Sequence, residues 1–427
     1  MREAEEWSTV GGLSRTGKVV AVALGAAAGI AAIGAVTSAF AMARVAQTVV
    51  TPAKKRKQDQ SVLAYDPGLR EVTLAATPET RVPGRYGLWF GNDSGYVRIG
   101  DIVREADGTV TRAVDEVVFG TLKRGPARWT GWYYLAPDEL GYGASTVELE
   151  STLGQSPAWL IPAGGGTASD KAPGDKASGD KASGDKASGD KSPERTGESP
   201  WVIMVHGRGA ERQESLRAVP VFHESGYTSL IISYRNDGTA PESADRRYGL
   251  GGTEWLDLES GIRYALAAGA TSIVLMGWSM GGAIVLQTVT RSQSLEKVTG
   301  IVLESPVVDW IDTLEYQAKI LHIPGPIAQG ARWIIESPRA TGVTGLDAAI
   351  DFTSMDFVGR ALDLSRPTLI LHSDDDGYVP STASRALAEA RPDIVTLVPF
   401  SVAKHTRLWN YDEDRWNASI RAWLADL

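Results

Sequence analysis

The second half of the chain alternates between short apolar runs and longer segments with apolar residues at helical spacing. Between two of these runs, for example, Trp255, Leu258, Ile262 and Ala265 recur every three or four residues, which is the pattern of an amphipathic helix. Runs that are hydrophobic without interruption suit strands buried on both faces of a parallel sheet. This order predicts a doubly wound, mostly parallel α/β sheet. The predicted strands cover residues 201–205, 229–233, 273–276, 301–303, 368–371 and 394–400.

One long interval interrupts this alternation. More than sixty residues separate Ser305 from the strand predicted to begin at Thr368, which is too long for a simple crossover. Apolar and aromatic residues fill much of residues 306–350, so we predict a small helical cap over the pocket. A peripheral core is the alternative. In either case the pocket wall would be apolar and aromatic, which favours an acyl or other hydrophobic group in a ligand.

The chain before residue 201 has a different character. Residues 61–163 contain short alternating runs separated by Gly, Asp, Asn and Pro, which predicts a mostly antiparallel β-rich region. We expect its last runs, at residues 147–150 and 158–161, to supply the first strands of the α/β sheet. Residues 164–200 repeat Asp-Lys-Ala-Ser-Gly with almost no apolar content, so this insert cannot offset the entropy of ordering. We interpret it as a disordered, expanded hairpin loop within one sheet, and an interdomain linker is the alternative.

The N-terminus predicts a membrane anchor. After a leader of residues 1–18, residues 19–43 carry no charged side chain and are long enough to cross a hydrocarbon core of about 30 Å. A cleaved signal peptide is the alternative, because small-residue cleavage sites occur near Ala41. The basic flank at residues 44–60 outweighs the basic residues of the leader, which favours a cytoplasmic catalytic domain. This flank either is solvated or binds anionic lipid headgroups.

Composition excludes several classes of function. The net charge of −9 and a pI near 5.3 disfavour non-specific nucleic-acid binding. No His-Glu-x-x-His motif occurs, and no Gly-Lys-Ser/Thr follows the glycines near Ser279, so neither a metal nor a nucleotide cofactor is expected. The absence of cysteine is compatible with either side of a membrane.

The strongest functional signal is the sequence Gly277-Trp278-Ser279-Met280-Gly281, which follows an apolar run and opens a small-residue helix. A strand that turns sharply into a helix holds its turn residue in a strained conformation, so glycines are needed where side chains would clash. The Ser279 hydroxyl would stand exposed above the sheet. The helix N-terminus, at Met280, would offer backbone N–H groups to a developing oxyanion. The pattern predicts a nucleophilic serine.

A nucleophilic serine needs a base and the base needs an orienting acid, in the chain order Ser, acid, His. The strand predicted at residues 368–371 runs into Asp374, Asp375 and Asp376, and one of these acids should lie at its carboxyl end. A later apolar run leads to His405, just before a closing amphipathic segment. His405 therefore occupies the last loop, where the base is expected.

Residues 201–427 resemble the α/β-hydrolase superfamily, and in detail the bacterial membrane-anchored hydrolases with a Gly-Trp-Ser-Met-Gly-Gly elbow. The segment at residues 206–210 resembles the family's His-Gly loop, and this resemblance implies that Arg208 supplies a second oxyanion N–H. Residues 372–380 resemble the family's His-Gly-x-x-Asp-x-x-Val-Pro pattern with Ser373 in place of the glycine. The resemblance thus implies that Asp376 is the acid. Residues 234–237 and 252–257 also resemble this subgroup, but no mechanistic role follows for them.

These observations predict a membrane-anchored serine hydrolase acting on a small-molecule ester, in the first place a carboxylic ester with a hydrophobic acyl group. His405 would take the proton of Ser279, Asp376 would orient the imidazole, and the N–H groups of Met280 and Arg208 would hold the oxyanion. The alternatives are a serine peptidase or aminopeptidase of the same fold, and a catalytically silent scaffold protein. Neither the identity of the substrate nor the oligomeric state follows from the sequence.

Overall fold

A computed structural model describes residues 37–52, 57–164 and 198–427. The strands of these residues form two sheets, of which one closes into a barrel near the N-terminus. The other has eight strands and carries the elbow at Ser279.

The barrel consists of six antiparallel strands in the order β1-β2-β5-β4-β3-β6. Its interior is apolar, with Tyr86, Leu88 and Trp129 among the buried side chains. The guanidinium of Arg112 is also buried, and it donates hydrogen bonds to backbone carbonyl oxygens, among them that of Gly100 at 2.9 Å. This pairing satisfies a charge that would otherwise be costly to bury. The strands are β1 Gln60–Asp66, β2 Glu71–Ala75, β3 Tyr86–Phe90, β4 Gly95–Ala106, β5 Thr109–Phe119 and β6 Gly125–Thr130.

The second sheet has the order β14-β13-β12-β11-β9-β10-β8-β7. Its six strands from β9 to β14 run parallel, and β8 and β7 add an antiparallel edge. The predicted α/β fold and the predicted N-terminal β-rich region are thereby confirmed. The strands are β7 Ser145–Ser151, β8 Gly154–Ile161, β9 Trp201–Val205, β10 Thr228–Ile232, β11 Ile273–Trp278, β12 Val298–Glu304, β13 Thr368–Ser373 and β14 Val395–Phe400.

Helices cover both faces of the second sheet. Along β9, Trp201 and Ile203 belong to one buried cluster with α3 and α4, while Val202 and Met204 belong to another with α2 and α10. Alternate residues of a strand point to opposite faces, so near-continuous hydrophobicity is what two covered faces require. The helices are α1 at residues 37–50, α2 Val219–Glu224, α3 Trp255–Ala267, α4 Met280–Arg291, α5 Trp310–Ile320, α6 Gly325–Glu336, α7 Thr341–Thr344, α8 Thr382–Ala390, α9 Leu408–Tyr411 and α10 Glu413–Ala425.

The connection from β8 to β9 differs from the prediction. Most of the insert at residues 164–200 lies outside the described residues, so the prediction that it is disordered is not addressed. It joins two strands of one sheet, but β10 lies between them and pairs with both. The prediction of a hairpin loop is therefore wrong. The reason is that the crossover from β9 through α2 places β10 beside β9, on the edge where β8 would otherwise pair.

The predicted membrane anchor at residues 19–43 lies mainly outside the described residues. Among the helices of the described residues, none is both long enough and apolar enough to span a membrane. The described helix α1 covers residues 37–50, so the segment predicted as a basic flank is partly helical. Ala46 and Val50, one turn apart, are fully buried against the core of the eight-stranded sheet. This part of the chain thus packs on the protein.

Candidate active site

The elbow forms because β11 turns directly into α4 at Ser279. Ser279 has φ 52° and ψ −116°, a conformation that L-residues rarely adopt. A Cβ at Gly277 would overlap the carbonyl oxygen of Gly281, and a Cβ at Gly281 would overlap that of Val205. Both glycines are therefore required by close backbone approach. The N–H of Ser279 donates to the carbonyl of Glu304 on the neighbouring strand at 3.1 Å, which fixes the turn to the sheet.

The structure brings Ser279, His405 and Asp376 into one hydrogen-bonded row. His405 Nε2 lies 2.9 Å from Ser279 Oγ, and His405 Nδ1 lies 2.7 Å from Asp376 Oδ2. Because a carboxylate can only accept, Nδ1 carries the proton and Nε2 is left to accept from the serine hydroxyl. Asp376 is 2% exposed and Ser279 9% exposed, whereas the His405 side chain is 17% exposed. The row thus runs from a buried carboxylate towards the surface.

The carboxylate of Asp376 is held ionised by its surroundings. Its Oδ1 accepts hydrogen bonds from the N–H groups of Tyr378 and Val379 at 2.8 and 2.9 Å. Burial alone would raise the pKa of Asp376, but the charge of His405 and hydrogen bonds from His372 and His405 hold that pKa well below its usual value. Ionised Asp376 favours the tautomer of His405 described above.

The other two acids of this loop have different partners. Asp374 binds Arg385 at 2.6 Å, and Asp375 binds Lys404 at 2.6 Å. Both aspartates are on the exposed side of the loop. Of the three consecutive acids, Asp376 is the one that contacts His405.

The two backbone N–H groups predicted to bind an oxyanion belong to Met280 and Arg208. Met280 is the first residue of α4, so its N–H has no carbonyl partner one turn earlier in the helix. The carbonyl oxygen of Gly207 accepts from the Tyr234 hydroxyl at 2.9 Å and lies 3.0 Å from His206 Nδ1. In a trans peptide the C=O and the following N–H point in opposite directions. The N–H of Arg208 therefore points away from these buried groups, and Arg208 lines the cavity above Ser279.

The residues that hold this loop explain the two segments to which the sequence assigned no role. His206 Nε2 lies 3.2 Å from Asp237 Oδ2, and the His206 ring stacks on Tyr234 with centroids 4.4 Å apart. The Arg235 guanidinium donates two hydrogen bonds, of 2.8 and 3.0 Å, to the carboxylate of Asp257 on α3. These two segments therefore support the loop of residues 206–208. Among the hydrogen bonds of the described residues, none joins either segment to Ser279.

Sequence reasoning missed Glu214. Its Oε2 accepts from the N–H of Gly207 at 2.7 Å, and its Oε1 accepts from the Thr406 hydroxyl at 3.2 Å. One buried carboxylate thus ties the loop before Arg208 to the loop that carries His405. Nothing in the local sequence signals this role, because Thr406 lies far away along the chain.

A cavity of about 1270 Å³ opens above Ser279 and His405. The predicted cap region contains α5, α6 and α7, and both α5 and α6 line the cavity. α5 is hydrogen-bonded to the loop that carries Asp376, since the Tyr316 hydroxyl donates to the Asp376 carbonyl oxygen at 2.9 Å. α1 and one end of the barrel complete the walls. The cavity is thus enclosed by parts of the chain that lie far apart in sequence.

The barrel also holds the chain just after His405. Asn410 on α9 donates from Nδ2 to the carbonyl oxygens of Arg85 and Gly131 at 2.7 and 3.0 Å. Arg407 pairs with Glu79, and Arg85 pairs with Glu413 at 2.6 Å.

The described ranges contain no group of three or more His, Cys, Asp or Glu side chains that could hold a metal ion.

Comparison with known proteins places this geometry in a family. The model of the alpha/beta hydrolase family matches residues 202–418, which is half of the chain. The chain therefore belongs to the α/β-hydrolase family, as its sequence motifs predicted. A second family model, for a domain of unknown function (DUF8805), matches residues 61–130, which are the barrel. No curated protein matches the chain.

Several solved structures are similar. The esterase Pf2001 of Pyrococcus furiosus is 15% identical, with 69% of this chain and 96% of that chain covered and a TM-score of 0.47. XC6422 of Xanthomonas campestris, described as an a/b serine hydrolase without lid, is 14% identical, with 66% and 94% covered and a TM-score of 0.40. Est1E from Butyrivibrio proteoclasticus is 15% identical, with 66% and 98% covered and a TM-score of 0.41. Similarity at this level carries no argument about activity.

Proposed function

We propose that the protein is a serine hydrolase that transfers an acyl group to water, with a carboxylic ester of a hydrophobic acid as its substrate. The observation that carries this proposal is the pair of hydrogen bonds from Ser279 through His405 to Asp376. Each of the three groups has the partner that nucleophilic catalysis requires. The apolar side chains on the cavity wall support an acyl group of hydrophobic character.

In the proposed mechanism, Ser279 Oγ attacks the ester carbonyl carbon while His405 Nε2 accepts the hydroxyl proton. Asp376 stabilises the imidazolium that forms, and the N–H groups of Met280 and Arg208 bind the oxyanion of the tetrahedral intermediate. The bond to the alcohol oxygen then breaks, and His405 returns its proton to that oxygen. Water repeats the sequence on the acyl-enzyme, which releases the acid and restores the Ser279 hydroxyl.

A fluorophosphonate probe tests the nucleophile. The full-length chain in detergent should be labelled at one site, and Ser279→Ala should abolish labelling while leaving the fold unchanged by circular dichroism. Ser260→Ala is a matched control, because that serine is buried on α3 and its hydroxyl donates to the Leu256 carbonyl of the same helix. Labelling that survives in Ser279→Ala would refute the assignment. Folded wild-type protein that takes no label would favour the scaffold alternative.

A substrate panel then separates the remaining alternatives. p-Nitrophenyl esters of short and long acids should be hydrolysed faster than aminoacyl p-nitroanilides, because the apolar side chains on the cavity wall favour an uncharged acyl group over a free α-amine. Preference for an aminoacyl amide with a free amine would identify an aminopeptidase. In either case Ser279→Ala must remove the activity if Ser279 is the nucleophile.

We also propose that the protein is attached to a membrane by residues 19–43, with the catalytic domain on the cytoplasmic side. The uncharged sequence of this segment and the basic residues after it support the proposal. Resistance of the membrane-associated protein to alkaline carbonate extraction tests the attachment. Protease added to sealed cells tests the side, since digestion of the catalytic domain from outside would place it on the outer face.

A further inference from the structure

α1 presents two adjacent apolar stripes to two different surroundings. Ala46 and Val50 are fully buried in the core of the eight-stranded sheet. Val45 and Val49, also four residues apart, line the cavity above Ser279. Residues at this spacing lie on one face of a helix. One side of α1 is thus anchored in the core, and the neighbouring side forms a wall of the candidate active site.

The cap helices supply the other apolar walls. On α5, Ile311, Leu314 and Ala318 line the cavity at spacings of three and four residues. On α6, Ala331 and Ile335 do the same. Such spacing places each set on a single helix face. Together with Val45 and Val49 of α1, these residues give the cavity three aliphatic stripes, and polar side chains of the same three helices also line it.

The barrel side of the cavity adds charged groups as well as Trp129 and Trp132. Glu79, Arg128 and Arg407 line it there, and Arg407 pairs with Glu79 while Arg128 pairs with Asp93 at 3.2 Å. The aliphatic stripes thus lie on α1 and the cap, whereas the barrel side contributes aromatic rings and paired charges. The cavity volume of about 1270 Å³ exceeds the roughly 300–1,000 Å³ of most small-molecule sites, so the cavity has room for a long, two-part ligand.

α1 is fixed in place by hydrogen bonds to several elements. The guanidinium of Arg208 donates from Nη2 to the carbonyl oxygens of Thr48 and Thr51 at 2.8 and 3.1 Å. The Val50 carbonyl accepts from the N–H of Tyr248 at 2.8 Å, and Gln47 Nε2 donates to the Val343 carbonyl at 2.8 Å. α1 is thus held in one position against the cavity, and it is hydrogen-bonded to Arg208, whose N–H we propose as an oxyanion donor.

We propose that the cleft between α1, α5 and α6 is a binding site for the acyl chain of an amphiphilic lipid ester. The chain lies along Val45 and Val49, its carbonyl carbon reaches Ser279, and its polar alcohol portion faces the barrel. This inference rests on the proposed function, since it places the ester at Ser279. The same chemistry describes a lipid within a bilayer and a monomeric ester in solution, and the experiment distinguishes these two sources.

The experiment measures kcat/KM of the full-length chain in detergent for p-nitrophenyl dodecanoate and p-nitrophenyl acetate, and compares their ratio between variants. Val49→Trp fills the cleft and should lower the dodecanoate-to-acetate ratio roughly 60-fold, because each of about three methylenes that lose burial is worth about fourfold. Leu314→Trp, from the opposite wall, should lower the ratio in the same direction. Ile320→Trp is the matched control, since Ile320 is exposed on α5 and does not line the cavity.

An unchanged ratio in both folded tryptophan variants would overturn the acyl site. Failure of the proposed function would give a different result. The wild type would then hydrolyse neither ester, or it would hydrolyse both at the same rate as Ser279→Ala. Leu314→Trp keeps the inference testable if Val49→Trp does not fold. Release of fatty acid from phosphatidylglycerol vesicles would show that the ester substrate is a lipid within a bilayer. Turnover of the soluble ester alone would show that the substrate is a monomeric ester in solution.

Discussion

Ser279 Oγ and His405 Nε2 lie 2.9 Å apart, but different parts of the chain hold the two residues in place. Ser279 sits in a turn enclosed by backbone from β9, β11, β12 and α4, with no space left at its flanking glycines. His405 lies on a partly exposed loop whose continuation, through Asn410, is bonded to the barrel. The serine position is thus intrinsic to the α/β sheet. The histidine loop is held by the bond of His405 to Asp376, by the bond of Thr406 to Glu214 and, through Asn410, by the barrel.

The largest effect is expected from breaking the histidine side at Asp376. Asp376→Asn keeps the shape, but its amide can donate to Nδ1 and so shift the His405 proton to Nε2, which can then no longer accept from Ser279. We expect kcat for p-nitrophenyl butyrate to fall about 10⁴-fold. Asp374→Asn, the same change on an exposed aspartate of the same loop, is the control. Equal losses in the two variants would contradict the assignment of Asp376.

An intermediate effect is expected from breaking the serine side at Gly281. In Gly281→Ala, the new Cβ meets the backbone carbonyls of Val205 and His206, so β9 and the start of α4 must separate. We expect kcat/KM to fall about 10²-fold because Met280 and Ser279 shift together, with a stability loss of about 1–3 kcal/mol. Gly342→Ala has open space and an unstrained φ, and it should leave both values unchanged. Wild-type kinetics in Gly281→Ala would show that the elbow is not rigid.

The smallest effect is expected from loosening the barrel. Asn410→Ala leaves the carbonyl oxygen of Arg85 without its side-chain donor and that of Gly131 with Arg217 alone, and an unsatisfied buried group costs about 1–3 kcal/mol. We expect kcat to fall about tenfold while KM changes little, since a small misplacement of His405 affects the chemical step. Arg421→Ala, which removes an exposed pair with Glu224, controls for surface changes. Lower stability with unchanged kcat would mean that the barrel does not position His405.

The sequence predicted those features that depend on local pattern. The parallel strands follow from uninterrupted apolar runs, and the elbow follows from glycines spaced around Ser279, because both are properties of neighbouring residues. Asp376 was distinguished from Asp374 and Asp375 only through a family resemblance. The structure gives the physical difference, since Asp376 is buried whereas the other two are exposed and paired with Arg385 and Lys404.

Features that depend on contacts between distant residues were not predictable in this way. Glu214 joins Gly207 to Thr406, 192 residues further along the chain. Arg208 binds the end of α1, 160 and 157 residues earlier. Neither contact leaves a periodic or motif signal. The same is true of β10, whose place between β8 and β9 is decided by a crossover and not by the sequence of the insert.

The peptide between Gly207 and Arg208 has a consequence for how the protein begins a reaction. Its carbonyl is already engaged by Tyr234 and lies beside His206, so the N–H that we propose as an oxyanion donor is oriented before any ligand arrives. In the proposed mechanism such a hole is preorganised, and its orientation is established once, during folding, instead of in every turnover. Under the same proposal, regulation would act on access to the cavity and not on assembly of the catalytic groups.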